Sequence, residues 1–157
     1  MSEMYKEIRT AGKSYNEKND CTVVAVSAAT GHSYSEAHSA MADAGRKRHK
    51  GAKPHQTISA LKALGFKTKN ITISAIQKNY PPKYRPNTIT PSQVRMLQNV
   101  WKDGKTYICF TASHALTIID GEVIDWTDGR CHRITKICEV IGDRKAPVEK
   151  QMWLFEV

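Results

Sequence analysis

Cys21 follows Asn19 and Asp20 and begins a run of small and apolar residues that extends to Ala29, with Gly31 shortly beyond it. An Asn or Asp before such a run and a Gly after it predict a helix that begins at Cys21. The first turn of a helix carries partial positive charge and unpaired backbone N–H groups, which favour a thiolate over a thiol. Cys21 is therefore a candidate nucleophile, and it needs a base from another element.

A histidine and a carboxylate lie on a predicted β-hairpin. Asp120-Gly121 separates two apolar runs, and this dipeptide favours a two-residue type I′ turn. With that turn, strand alternation places His114 and Asp125 on one face as diagonal neighbours, with Cβ atoms roughly 7 Å apart, close enough for a hydrogen bond between their side chains. We expect the Cys21 helix to pack on the apolar residues of the same face, which are Leu116, Ile118 and Val123.

These three side chains together predict a Cys-His-Asp catalytic arrangement. Cys21 would attack, His114 would take and later return the proton, and Asp125 would fix the imidazole tautomer. Each residue taken singly also has a structural explanation, as a core cysteine, a histidine bonded to backbone and a solvent-facing aspartate. Asp128 is the alternative to Asp125.

The segments Asn19-Asp20-Cys21-Thr22, Ser113-His114-Ala115-Leu116 and Asp125-Trp126 resemble the papain-like cysteine peptidase superfamily in its compact bacterial and phage forms. The order of cysteine, histidine and aspartate, and the layout of helices before a sheet, are similar to that superfamily over about residues 15–126. The length of 157 residues predicts a single domain, and the resemblance implies that this domain, over residues 1–157, is papain-like. It also implies a thiol hydrolase, either a cysteine peptidase or an isopeptidase or amidase, that acts on a peptide or protein substrate.

The resemblance further implies an oxyanion donor a few residues before the cysteine, commonly a Gln. No Gln precedes Cys21, so Asn16 is the first candidate and Asn19 the second. Because the loss of one oxyanion donor can cost ~10²–10³ in rate, a second interpretation stays open. In that interpretation the chain is a catalytically weak or inactive papain-like fold that serves as a phage-type binding or structural protein.

The charge balance indicates an acidic partner. The chain has 24 Lys and Arg against 15 Asp and Glu, which gives a formal net charge of +9. Such an excess favours nucleic acid or an acidic protein, although solubility explains it equally well. The segment 46–53 is basic and interrupted by Gly, and it precedes Pro54, so it is predicted to be a loop. Its candidate contacts to nucleic acid or an acidic partner are Arg46, Lys47, Arg48, Lys50 and Lys53.

The order of the remaining patterns is typical of an α+β fold in which N-terminal helices pack on a C-terminal antiparallel sheet. A capping box at Ser33 predicts a helix to about Ala44, and Thr57 is predicted to cap another. A third helix is predicted over 90–101, after an irregular, proline-containing connection. Further strands are predicted at 70–74, 106–111, 133–141 and 152–157.

Composition and motifs exclude several other classes. No apolar run is long enough to span a bilayer, and the first residues lack the apolar core of a signal peptide. We therefore expect a cytoplasmic location, in host cytoplasm or a virion if the chain is phage-encoded, and no membrane partner. The four cysteines form no CxxC pair, and Cys131, His132 and Cys138 fit no standard zinc spacing, so neither a metal nor a cofactor is expected.

Overall fold

A computed structural model describes residues 2–72, 103–128 and 132–145. Over these residues the chain forms α-helices followed by one antiparallel sheet, which confirms the α+β class. The helices are α1 (Glu3–Gly12), α2 (Cys21–Thr30), α3 (Tyr34–Asp43) and α4 (Pro54–Ala63), with a short 3₁₀ turn at Lys13–Tyr15. The strands are β1 (Lys67–Ile71), β2 (Thr106–Phe110), β3 (Ala115–Ile119), β4 (Glu122–Ile124) and β5 (Lys136–Ile141).

Local signals account for most helix boundaries. α2 begins at Cys21 as predicted, and Gly31 ends it with a left-handed φ of 74°. α3 begins with the capping box that Ser33 forms with Glu36. α4 begins at Pro54 rather than at Thr57, because proline is pre-organised for the first helical position. Thr57 is a buried residue inside that helix.

The sheet has the strand order β1-β5-β2-β3-β4. In the β3–β4 hairpin, Ile118 pairs with Val123 and Ile119 pairs with Glu122, which is the register predicted from the sequence. Asp120 and Gly121 connect the two strands with φ angles of 46° and 79°. A type I′ turn needs positive φ at both central residues, so Asp-Gly explains this connection.

The face of the sheet that meets α2 differs from the prediction. Thr117 donates a hydrogen bond to the carbonyl of Ala25 in α2 at 2.8 Å, and Ala115 belongs to the core shared with the helices. Because side chains alternate along a strand, Leu116 and Ile118 lie on the opposite face. The expectation that Leu116, Ile118 and Val123 pack on α2 is therefore wrong, although all three are buried.

Two other strand predictions need adjustment, and several predictions lie outside the described residues. β1 begins at Lys67, earlier than expected, and β5 begins at Lys136, later than expected. The predicted helix at 90–101, the strand at 152–157, residues 73–74 and Cys131 all lie outside the described ranges. None of the helices within those ranges has both the length and the apolar content needed to cross a membrane.

Candidate active site

Cys21 is the first residue of α2, and its side chain is partly exposed. Asp20 is the N-cap residue, yet its carboxylate makes no capping hydrogen bond to α2. Instead, both Asp20 oxygens accept hydrogen bonds from Arg9 at 2.9 Å, and one accepts from the Tyr34 hydroxyl at 2.7 Å. The backbone N–H groups beside the Cys21 thiol are therefore not occupied by the side chain that usually takes them.

The His114–Asp125 pair forms at the open ends of the hairpin strands. His114 Nε2 lies 2.7 Å from Asp125 Oδ2, and the two side chains are 16% and 3% exposed. Asp125 also accepts hydrogen bonds from the backbone N–H of Thr127, at 3.2 Å, and from the Thr127 hydroxyl. β3 begins after His114 and β4 ends before Asp125, so strict strand alternation no longer fixes where these two side chains point.

The Cys21 thiol lies beside the His114 ring, and both side chains line the same cavity. Since Nε2 of the ring faces Asp125, Nδ1 is the nitrogen left for the thiol. The hydrogen bonds to Asp125 and then to Cys21 raise the pKa of His114 to about 10, against a smaller opposing effect of burial. The structure therefore brings Cys21, His114 and Asp125 together in the predicted order, with an imidazole that keeps its proton at neutral pH.

Two aromatic rings flank His114. Trp126 meets it edge-on with ring centroids 6.0 Å apart, and its side chain remains 47% exposed. His132 stacks on it with centroids 5.9 Å apart and planes 18° apart. Nε2 of His132 also lies 2.7 Å from the Thr127 hydroxyl oxygen, so the hydrogen-bonded series extends beyond Asp125.

Thr127 and His132 are site residues that sequence reasoning missed. A threonine two positions after an aspartate is a pattern in which the aspartate carboxylate binds the following backbone, and this local signal was available at Asp125-Trp126-Thr127. No local signal points to His132, because its contact with the ring of His114 depends on the fold.

Two depressions meet at the thiol. One encloses about 540 Å³ and is lined in part by Tyr5, Arg9 and Trp126. The other encloses about 400 Å³ and is lined in part by residues 52–54 and 110–112. Both depressions are bordered by Cys21, Gly51, Ser113 and His114. The two form a groove that passes across the nucleophile and could hold an extended chain on both sides of it.

The two oxyanion candidates lie in different places. Asn16 follows the 3₁₀ turn in a left-handed conformation, with φ of 49°, and it lines a separate depression with Glu17. Asn19 lines the same cavity as Cys21, and its side-chain amide donates to the carbonyl of His49 at 3.1 Å. Of the two predicted donors, the structure brings Asn19 to the thiol and not Asn16.

The basic segment 46–53 borders the groove, but one of its members is not exposed. Arg46 is a correction to the predicted contact set, because its side chain is only 2% exposed and donates to Glu17 at 2.7 Å. Lys47, Arg48, Lys50 and Lys53 are exposed as expected. Burial alone would raise the pKa of Glu17, but hydrogen bonds from Arg46, the His49 N–H and His38 lower it to about 2.

The remaining predicted residues lie outside the arrangement of Cys21, His114 and Asp125. Cys109 and Cys138 are buried in the sheet. Asp128 lies in the turn after β4, and the His114 contact goes to Asp125. Within the described ranges, no group of three or more His, Cys, Asp or Glu side chains is placed to hold a metal ion.

Comparison of the chain with protein-family models, curated proteins and solved structures finds no match in any of the three.

Proposed function

We propose that the chain is a papain-like thiol hydrolase that cleaves a peptide or isopeptide bond, with Cys21 as its nucleophile. The observation that carries the proposal is the arrangement at the centre of an open groove, where His114 is hydrogen-bonded to Asp125 and lies beside the Cys21 thiol. Nucleophile, base and orienting carboxylate within hydrogen-bond reach of one another are the requirement for covalent catalysis of acyl transfer.

The residues divide the reaction as follows. The Cys21 thiolate attacks the carbonyl carbon of the substrate and forms a C–S bond. The C–N bond then breaks as His114 donates its proton to the leaving amine. Water gives a proton to His114 and attacks the thioester, and the C–S bond breaks to release the acid and the thiolate. Asp125 holds the imidazole in the orientation that both proton transfers need.

The oxyanion that forms during each attack needs hydrogen-bond donors. The backbone N–H of Cys21 is the first candidate, because Asp20 is held by Arg9 and Tyr34 and does not cap the helix. Asn19 is the second candidate, since its side chain lines the same cavity. Asn19 therefore takes the place of Asn16 as the side-chain candidate.

Alkylation with iodoacetamide tests the proposal without knowledge of the substrate. We expect Cys21 to react well below pH 8 and faster than a free peptide thiol, because a thiolate and not a thiol is alkylated. Cys109 and Cys138 serve as internal controls, since both are buried and burial raises the pKa of Cys109 to about 12. Cys21→Ala should abolish cleavage of a quenched peptide library while the circular dichroism spectrum stays unchanged. Persistent cleavage by that variant would remove Cys21 from the mechanism.

The second candidate function is a binding or structural protein that keeps the arrangement without turnover. Four exposed cations on the segment beside the groove favour it, as does the position of Asn16 away from the thiol. The alkylation experiment separates the two functions. A Cys21 thiol that reacts no faster than a free peptide thiol below pH 8 would exclude the hydrolase and leave the binding protein.

A further inference from the structure

We infer that the groove accepts a peptide whose residues on one side of the scissile bond, the side bordered by Lys53, carry acidic side chains. This inference rests on the proposed function and names the substrate class of the same site. It joins two features that the sequence presents separately, the thiol at Cys21 and the basic segment 46–53.

The basic segment forms one wall of the groove. Gly51 lines both depressions beside Cys21, and Ala52, Lys53 and Pro54 line the smaller one. Exposed cations precede and follow Gly51, and within the described part of the chain no carboxylate pairs with any of them. These cations are Lys47, Arg48, Lys50 and Lys53.

The two sides of the groove differ in their charge. The smaller depression, of about 400 Å³, has Lys53 in its lining and no Asp or Glu. The larger depression has two carboxylates in its lining, but Asp20 is paired with Arg9 and Asp125 is hydrogen-bonded to His114. The smaller depression therefore has an uncompensated positive charge, while the charges in the lining of the larger one are internally paired. An acidic side chain is favoured on the Lys53 side only.

The segment is held in place by buried contacts. Glu17 accepts hydrogen bonds from the His49 N–H at 2.8 Å and from Arg46 at 2.7 Å. The backbone carbonyl of His49 in turn accepts a hydrogen bond from the side-chain amide of Asn19, two residues before the nucleophile. Because these contacts fix the middle of the segment, the neighbouring cations keep their positions beside the groove, and their charge acts on the substrate at little entropic cost.

The lining favours a peptide over a nucleic acid. Single-stranded nucleic acids are held by aromatic rings on which bases can stack. In the lining of the smaller depression, Phe110 is only 4% exposed and the His114 side chain only 16%, so neither ring offers an open face for stacking. Ala52, Pro54 and Ala115 in the same lining are small or aliphatic, and they suit the side chains of an extended peptide.

Protection of Cys21 from alkylation measures occupancy of the groove directly. The full chain is alkylated with iodoacetamide at low salt in the presence of a glutamate-rich decapeptide, a lysine-rich decapeptide or a single-stranded oligonucleotide of matched net charge. We expect the glutamate-rich peptide to slow the reaction of Cys21 about fivefold more than the lysine-rich peptide at equal concentration. We expect the oligonucleotide to protect less than the glutamate-rich peptide.

A charge reversal at Lys53 and a matched control locate the effect. Lys53→Glu should remove the preference for the acidic peptide. Lys67→Glu makes the same charge change on an exposed lysine at the start of β1, beyond the other end of α4. Because Lys67 lines neither depression of the groove, this control should keep the preference.

The outcomes separate this inference from the proposed function. The acidic preference would be overturned if both peptides protected Cys21 equally. It would also be overturned if Lys53→Glu and Lys67→Glu reduced the preference for the glutamate-rich peptide equally. In either case the reactivity of Cys21 would still support the hydrolase. Protection by the oligonucleotide that matches or exceeds that of the glutamate-rich peptide would also overturn the acidic preference, in favour of nucleic acid. Absence of rapid alkylation of Cys21 without any ligand would instead remove the proposed function, and the inference with it.

Discussion

Two buried carboxylates in this molecule each hold a histidine at hydrogen-bond distance, but their surroundings differ. Asp125 lies 2.7 Å from His114 in the groove, and Glu17 lies 2.6 Å from His38 between the helices and the segment 46–53. The His114 ring also contacts the thiol of Cys21. The His38 ring packs instead on two tyrosines, Tyr15 and Tyr34.

The two carboxylates differ in the group that supplies the positive charge beside them. Glu17 is paired with Arg46, which is always protonated, so His38 is not needed as a counter-ion. The other hydrogen bonds of Asp125 come from neutral groups of Thr127, so His114 has to supply the positive charge itself. The pKa of His114 is accordingly raised to about 10, mainly by the hydrogen bond to Asp125 and then by that to Cys21. A carboxylate–histidine pair thus has a structural role beside Arg46 and is suited to catalysis beside Cys21.

Replacing each histidine by alanine gives the sharpest test of this comparison. His114→Ala removes the cation that stabilises the Cys21 thiolate, so alkylation below pH 8 should slow by about 10²-fold or more. His38→Ala should leave the rate within about twofold, because His38 lines neither depression and its ring packs on the tyrosines and Glu17. Rates come from mass spectrometry of the peptide that carries Cys21. Equal slowing in both variants would show that the reactivity depends on the fold and not on the His114 contact.

Arg46→Met tests the structural half of the comparison. The change leaves a buried Glu17 without its main counter-charge, which should reduce the free energy of unfolding by about 3–5 kcal/mol. Lys47→Met is the matched control, since the neighbouring side chain is exposed, and we expect a change of about 0.5 kcal/mol or less. Urea unfolding followed by tryptophan fluorescence measures both. A small effect at Arg46 would mean that Glu17 is readily hydrated or protonated.

Local patterns predicted the elements that position the site. Gly31 marked the end of α2, and Asp120-Gly121 fixed the register of the β3–β4 hairpin. Each of these signals acts over a few residues, so one sequence is enough to recognise it. From them followed the prediction that His114 and Asp125 lie close together.

What the sequence did not predict depends on contacts between distant segments. α1 begins with a local signal, the cap at Ser2, but nothing local predicts that its Arg9 pairs with Asp20. Arg46 was predicted to be an exposed cation of the segment 46–53, because its partner, Glu17, is 29 residues away in the sequence. The face of the hairpin that meets α2 was also wrong, since both faces carry buried apolar residues and alternation alone cannot distinguish them.

Asp125→Ala should have a smaller effect than His114→Ala, because Asp125 orients the ring and does not carry the proton. Without the carboxylate, the main cause of the raised pKa of His114 is removed, and the pKa should fall toward its ordinary value of about 6.5. The imidazolium is then lost at a lower pH, so His114 no longer holds a positive charge beside the Cys21 thiol near neutrality. Alkylation of Cys21 should slow about tenfold near pH 7. The difference from the wild type should narrow at high pH, where the His114 imidazolium is lost in both proteins. A uniform slowing at every pH would contradict this account.

Thr127→Val should give the smallest effect and shows how far the arrangement around Asp125 extends. Valine keeps the shape of the buried side chain but removes the hydroxyl that donates to Asp125 and lies 2.7 Å from His132 Nε2. A lost hydrogen bond of this kind is worth about 1 kcal/mol, so we expect a change of about fivefold in the alkylation rate near neutrality. The pH at which the alkylation rate reaches half of its maximum, the pH midpoint, should shift in the same direction as in Asp125→Ala. Thr127→Ser keeps the hydroxyl and should restore the wild-type midpoint. A Thr127→Val variant with lower stability but an unchanged midpoint would limit Thr127 to a structural role and end the series at Asp125.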